Sequence, residues 1–366
     1  MKLLNSVTIG SSWKIIDRFQ IVIPALIALL VSLSGTAWAL ETETASAMDL
    51  PKQEERIQEE KPKSVGPKNS SANPLPGFSS SLRVQAVSLW GKTTNETTFR
   101  QGMSSLEWPV EMRLLEASYL VAVEDLVELE LSLQACPWIR SRNPMEDYDW
   151  LDESYYSGRA PHDGIDIYSE STIDEKAISF DARARIFALR KAPAYVGLFL
   201  AYTNQEMDFK AYDTVQEGYG TWSDRTGSVS GPSCTYTVEY DIYQIGLSWR
   251  FNASDILKVT LDSAFIPYVK VRDEDDHIRR LRISQTNCEG HGRMLAMTMH
   301  YSIWNRWFVS SSCTWLNIST NGSQIQYWYG NDPASNGDET GMTAQGIGSD
   351  IDQKTMNVGI AIGRTF

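Results

Sequence analysis

The chain has 366 residues, with 33 Lys and Arg against 46 Asp and Glu, a net charge of −13, and 42% hydrophobic and 11% aromatic residues. A chain this acidic lacks the dominant basic face that phosphate groups require, which excludes nucleic acid as a partner. The aromatic content excludes a fully disordered chain. Beyond the N-terminal region, no apolar stretch is long enough for a membrane-spanning helix.

The N-terminal region has the pattern of an export signal. Three basic residues within the first 20 positions precede an apolar run at 21–33, and a small-x-small cleavage pattern follows at 37–39. We predict a signal peptide over residues 1–39; the alternative is an N-terminal anchor helix. Residues 40–79 are rich in Glu, Lys, Pro and Ser, which predicts an acidic, proline-rich disordered linker.

Four cysteines are spread widely along the chain: Cys136, Cys234, Cys288 and Cys313. They contain no C-x-x-C pair, so their spacing predicts no zinc site. An oxidising compartment would permit disulfides, but the spacing does not determine which cysteines would pair.

From about residue 80 onward, apolar residues recur at every second position, which is the periodicity of β-strands. In the last segment Met356, Val358, Ile360 and Ile362 share one face, which continues to the terminal Phe366. We predict ten strands, beginning near residues 80, 105, 119, 177, 194, 235, 255, 279, 305 and 354.

An even number of long strands, joined by short turns at one end and long polar loops at the other, is typical of an outer-membrane barrel. Short turns are predicted at 253–255 and 304–305. The predicted fold class is therefore all-β, a ten-stranded antiparallel transmembrane β-barrel over residues 80–366. The alternative is a large soluble β-sandwich in the periplasm.

Acidic residues and a histidine follow two predicted strands at the ends away from the short turns. Asp147 and Asp149 follow the third strand, and Asp273, Asp275 and His277 follow the seventh. A carboxylate beside an imidazole fixes its tautomer, so His277 could act as a base toward water, with a pKa near or above about 6.5. The alternative is an acidic loop that binds calcium or is solvated, with an incidental histidine.

Several short segments together resemble the omptin family of outer-membrane proteases, and the resemblance covers residues 80–366. They are Gly-Lys-Thr at 91–93, Leu-Glu-Trp at 106–108, Asp-Tyr-Asp-Trp-Leu-Asp at 147–152 and Asp-Glu-Asp-Asp-His at 273–277. The family's segment after the third strand is replaced at 158–171 by different residues.

The resemblance implies a barrel that rises well above a bacterial outer membrane, with an extracellular groove that cuts peptides beside basic residues. It implies that a water molecule is held between Asp147 and His277. Asp275 would orient His277, and Asp149 would support Asp147. No acyl-enzyme is expected.

The resemblance further implies that Glu96 and Asp273 bind the basic side chain before the scissile bond. It implies no metal and no cofactor, although lipopolysaccharide is expected to be needed for activity. The expected partners are extracellular basic polypeptides, lipopolysaccharide and outer-membrane lipid, and the protein is expected to be a monomer. The alternatives are a non-catalytic barrel that acts as an adhesin or surface-binding protein, and, less favoured, a pore.

The seventh strand poses a geometric problem for this assignment. Strict alternation places Leu257, Val259, Leu261, Phe265, Val269 and Val271 on the lipid face, and Asp273, Asp275 and His277 share that parity. Proline cannot donate a ladder hydrogen bond and occurs in barrels mainly at bulges. We therefore predict one extra residue near Pro267, which turns the later odd positions inward.

Overall fold

The structure is a computed structural model that describes residues 77–152, 154, 164–333 and 337–366. The predicted signal peptide at 1–39 and all but the end of the predicted linker lie outside the described residues. The first strand begins at Phe78, so the last two linker positions belong to the barrel. Within the described part of the chain, no helix has the length and apolar character needed to cross a membrane.

In the described residues, eleven antiparallel strands form one closed sheet, and a short 3-10 helix lies at Gly220–Arg225. The strands are β1 Phe78–Phe99, β2 Gly102–Val123, β3 Val127–Arg140, β4 Met145–Leu151, β5 Ile167–Lys191, β6 Ala194–Gly218, β7 Gly227–Asn252, β8 Leu257–His277, β9 Arg282–Trp304, β10 Trp307–Trp328 and β11 Thr343–Thr365. β1 pairs with both β2 and β11, which closes the ring.

The ring has ten strand positions, as predicted, because β3 and β4 occupy one position in succession. Both pair with β2 on one side and with β5 on the other. The start predicted near residue 119 lies inside β2, and the third strand begins at Val127 instead. Some strands begin earlier than predicted, such as β11 at Thr343, because their upper parts are polar on both faces and lose the alternation.

At one end of the ring all the connections are short, namely 124–126, 192–193, 253–256 and 305–306. The long connections 152–166, 219–226 and 329–342 lie at the opposite end, together with two short turns at 100–101 and 278–281. Asn305 and Arg306 both have positive φ, 45° and 70°. That conformation is typical of the two-residue hairpin turns whose twist matches the flanking strands.

The outward face carries an apolar belt near the short turns. In β9 the outward residues from Leu295 to Ile303 are apolar or aromatic, whereas Arg293, His291 and Glu289 above them are polar. A tilted strand crosses a bilayer with roughly 9–11 residues, which matches this stretch. The predicted alternation in β11 is confirmed, since Ile360 is 67% exposed and Ala361 only 3%.

Inside the belt the barrel is filled by charged side chains that pair with one another. Arg83 Nη2 lies 2.8 Å from Glu116 Oε1 and 2.7 Å from Glu130 Oε1. On the facing wall, Arg185 Nη2 lies 2.7 Å from Asp262 Oδ2. Arg250 pairs with Glu128 in the same layer. The carboxylates of β3 therefore face the interior.

Above the belt the interior becomes an apolar core. Trp108 is fully buried and stacks on Tyr236 with ring centroids 5.1 Å apart and planes 8° apart, and Phe209 packs beside it at 5.3 Å. Val269 and Val271 belong to this core and are fully buried. This core supports the residues at the mouth of the barrel.

Candidate active site

The predicted phase change in β8 is present. β8 advances from Ile266 to Val269 while β9 advances only from Gly292 to Gly290, so β8 holds one extra residue around Pro267. The partner on the other side, β7, shows the matching irregularity between Tyr243 and Ile245. Val269 and Val271 were expected on the lipid face and face inward instead, because the extra residue precedes them.

The same bulge turns the end of β8 toward the interior of the mouth. Asp273 and Asp275 are buried, and His277 ends the strand with its side chain mostly covered. His277 Nε2 donates to Asp275 Oδ2 at 2.8 Å. On the neighbouring strand, the Cys234 thiol donates to the other oxygen of Asp275 at 2.7 Å. The carboxylate is thus held from both sides.

The two acidic residues of β4 face the same interior. Asp147 pairs across the ladder with Leu106, which is buried, and Asp149 pairs with Ser104. The Ser104 hydroxyl donates to Asp147 Oδ1 at 3.2 Å. Both residues were expected to follow a strand, but they lie within one, which fixes their direction more firmly than a loop would.

The electrostatics of the mouth separate its carboxyl groups into two kinds. Burial raises the pKa of Asp147 well above its usual range, and the adjacent charge of Asp149 raises it further. Burial also raises the pKa of Asp149, although Arg280 and Ser104 partly offset the effect. Two adjacent carboxyl groups resist ionising at once, so the pair holds its last proton to a higher pH than an isolated carboxyl group does.

Asp275 behaves differently from the β4 pair. Burial alone would raise its pKa, but the charge of His277 and the hydrogen bonds from His277 and Cys234 hold the pKa below its ordinary value. Asp275 is therefore an ionised carboxylate that accepts from two donors. Burial, and then the charge of Asp275, raise the pKa of the Cys234 thiol well above its usual range, so this thiol keeps its proton.

The pKa of His277 is lowered, contrary to the expectation of a value near or above about 6.5. Burial is the largest cause, and it outweighs the opposing charge of Asp275. Arg282 and Arg280 lower the pKa further. Arg282 pairs with His277 across the β8–β9 ladder, and its guanidinium lies over the Trp328 ring. The imidazole is thus neutral and able to accept a proton at neutral pH.

Electrostatic influence reaches from one wall of the mouth to the other. The charge of Asp275 acts on Asp147, and the charge of His277 acts on Asp149. All four residues proposed from the sequence for catalysis, Asp147, Asp149, Asp275 and His277, therefore surround one space above the apolar core.

Of the two residues expected to bind a basic side chain, only Asp273 lies inside the mouth. Glu96 is exposed on the outward face of β1, because the inward positions there are Thr93, Asn95 and Thr97. Asn95 Nδ2 donates to Asp273 Oδ2 at 2.8 Å. Burial raises the pKa of Asp273 to about 7. The structure thus brings Asn95, rather than Glu96, to this carboxyl group.

Sequence reasoning also missed Cys234, Ser104 and the pair Arg280 and Arg282. Arg280 and Arg282 follow His277 closely in the sequence, and this proximity could have indicated that cations lie in the acidic mouth. Cys234 carried no such signal, because its distance from Asp275 along the chain hides their contact. All four cysteines are free thiols in the structure.

Comparison with known proteins decides the family. The sequence model of the Omptin family matches residues 92–361, more than half of the chain. The chain belongs to the omptin family. As an omptin, it is an outer-membrane protease with a β-barrel fold. Among curated proteins, none matches the chain significantly.

A solved structure of an outer-membrane protease has the same β-barrel fold. The outer-membrane protease OmpT from Escherichia coli has a TM-score of 0.66 and 16% identity, covering 80% of this chain and 99% of OmpT. The outer-membrane protein OprG from Pseudomonas aeruginosa has a TM-score of 0.33 and 9% identity, covering 80% of this chain and 97% of OprG. The latter similarity is too low to support a conclusion, whereas the former confirms the barrel fold.

Proposed function

We propose that this omptin is an endopeptidase of the bacterial outer membrane that hydrolyses peptide bonds next to basic residues with a water molecule activated by Asp and His. The observation that carries the proposal is the convergence of Asp147 and Asp149 from β4 with Asp275 and His277 from β8 on one interior space.

In the proposed reaction His277 is the general base. Its Nε2 proton is held by Asp275, so the other ring nitrogen is free to accept a proton from the attacking water. The hydroxide adds to the carbonyl carbon of the scissile bond. The imidazolium then gives its proton to the departing amine nitrogen, so no covalent bond to the enzyme forms.

Asp147 and Asp149 supply the opposite wall of the proposed site. The last proton of the pair is a hydrogen-bond donor for the oxygen on which negative charge develops, and the remaining oxygens can hold the water. A general base contributes about 10²–10⁴-fold to the rate of such a reaction.

A preference for Arg or Lys before the scissile bond is supported by Asp273 below the catalytic residues. Its pKa of about 7 leaves it only partly ionised, and a bound guanidinium would favour the charged form. Removing this charge by Asp273→Asn should lower kcat/KM for Arg peptides relative to Ala peptides. An unchanged ratio of kcat/KM for Arg and Ala peptides would show that Asp273 does not set the preference.

An extracellular site is supported by its position at the end of the barrel that carries the long connections. A requirement for lipopolysaccharide is supported by a basic and aromatic patch on the outward face just above the belt. Lys176 Nζ and Lys210 Nζ lie 5.2 and 4.2 Å from the centroid of Trp138, next to Arg140. Lys176 also pairs with Asp208, and Arg140 with Asp174. Such cations suit lipid phosphates. The ring closes within one chain, which supports a monomer.

The test is cleavage of quenched fluorescent peptides containing Arg-Arg, Arg-Val or Ala-Ala by the protein refolded with lipopolysaccharide. We expect cutting next to Arg, and at least about a 100-fold loss in His277→Ala and in Asp147→Ala. His291→Ala and Asp350→Ala are matched controls, because both residues are exposed on the outward face. If the barrel is shown to be folded and cleaves none of these peptides, the alternative of a non-catalytic surface-binding protein is favoured.

A further inference from the structure

Three side chains at the mouth form a cluster with the composition of a metal site. The ligand atoms of Cys234, Asp275 and His277 all lie within 4.8 Å of one another. Cys234 comes from β7 and the other two from β8, at adjacent levels of the ladder. In a tetrahedral zinc site with bonds of about 2.0–2.3 Å, ligand atoms lie roughly 3.3–3.8 Å apart. Small side-chain rotations would bring the three ligand atoms to these separations.

The donor set selects the class of ion. A thiolate and an imidazole are ligands of Zn²⁺ and other late transition metals, whereas Mg²⁺ and Ca²⁺ require oxygen ligands. Three protein ligands leave a fourth position open, as in zinc sites that bind a water molecule.

The surrounding charge also favours a cation. Three carboxyl groups, those of Asp275, Asp147 and Asp276, act electrostatically on Cys234. Asp273 lies one inward position below Asp275 on β8. These and Asp149 outnumber the two arginines, Arg280 and Arg282, at the same mouth.

We propose that Cys234, Asp275 and His277 bind one Zn²⁺ ion. On binding, the Cys234 thiol loses its proton to solvent and a sulfur–zinc bond forms. The ion displaces Asp275 from His277 Nε2, so the imidazole proton moves to the other ring nitrogen. Binding is independent of the proposed function.

The binding test uses Co²⁺ and Zn²⁺ alone, without peptide. Titration of the refolded protein with Co²⁺ should give the thiolate-to-cobalt charge-transfer band at one ion per chain. The band should be absent in Cys234→Ser and retained in Cys288→Ser, whose buried thiol instead donates to the carbonyl of Ser349. A band in Cys234→Ser, or no band in the wild type, would overturn the site.

A second measurement needs no substitution, in case Cys234→Ser does not fold. X-ray absorption of the zinc-loaded wild type should show one sulfur at about 2.3 Å with nitrogen or oxygen ligands at about 2.0–2.2 Å. A zinc shell of nitrogen and oxygen alone would contradict the assignment.

Discussion

Ile266 and Val269 both face the barrel interior and are fully buried, although they lie three positions apart in the same strand. In a regular strand two residues separated by an odd number of positions point to opposite faces. The extra residue at Pro267 reconciles the two directions. It thereby places the apolar core residues of β8, and above them Asp275 and His277, on the inside.

Deleting Pro267 should therefore remove the activity. The deletion restores strict alternation and turns Asp275 and His277 outward, so we expect at least about a 100-fold loss of kcat/KM. Pro267→Ala keeps the residue count and should retain most of the activity. Peptide cleavage by both folded variants is the measurement, and equal activities would show that the bulge does not set the direction of these side chains.

The pH dependence should follow from the lowered pKa of His277. The base must be neutral, and lowering its pKa keeps it neutral below its ordinary value of about 6.5. Activity should thus persist as the pH falls past about 6.5 and decline only at lower pH. The acidic limb of kcat/KM against pH measures this, and a midpoint above about 6.5 would contradict the role of burial.

Arg282→Gln should move that acidic limb to higher pH. The charge of Arg282 is one of the causes that lower the pKa of His277, so its removal makes the imidazole easier to protonate. Arg293→Gln is the matched control, because Arg293 is exposed on the outward face of the same strand. A limb that stays in place in Arg282→Gln, or that moves equally in both variants, would exclude a specific effect of Arg282.

The paired charges within the belt should matter for stability. Arg185→Met leaves the buried carboxylate of Asp262 without its partner, whereas Glu130 keeps Arg83, so we expect a loss of about 3–5 kcal/mol in the free energy of unfolding. Lys92→Ala removes an exposed pair with Glu107 and should cost less than about 1 kcal/mol. Urea unfolding in micelles compares them; similar losses would mean that the interior pairs contribute no more than surface pairs.

Trp108 should be the most sensitive position of the apolar core below the site. Trp108→Ala removes the ring that stacks on Tyr236 and packs against Phe209, which should cost about 3–5 kcal/mol in the free energy of unfolding. Trp108→Phe keeps an aromatic ring and should cost less. The same unfolding measurement ranks the variants, and a small loss in Trp108→Ala would show that the core collapses into the space.

The sequence was most informative where lipid imposes a simple rule. The outward apolar belt produces strict alternation, so the outward face of β11 followed from parity alone. Above the belt the outward residues become polar, and in β11 most inward residues do as well, so β11 begins at Thr343 and not near residue 354 as predicted. Pro267 predicted the bulge. The same bulge also turns Val269 and Val271 inward, whereas strict alternation had placed them on the lipid face.

The candidate site was partly predictable for a similar reason. Asp147, Asp149, Asp275 and His277 lie in short motifs that the resemblance could locate. The contact between Cys234 and Asp275 joins two strands, and the choice of Asn95 over Glu96 depends on a single step of parity. The pKa of His277 depends on burial, which the neighbouring sequence does not reveal.

The layer of ion pairs that joins Arg83 to Glu116 and Arg185 to Asp262 fills the barrel interior inside the belt. In the proposed reaction a polypeptide therefore does not pass along the barrel axis. A flexible loop or a chain end enters the mouth, and both fragments leave through the same opening.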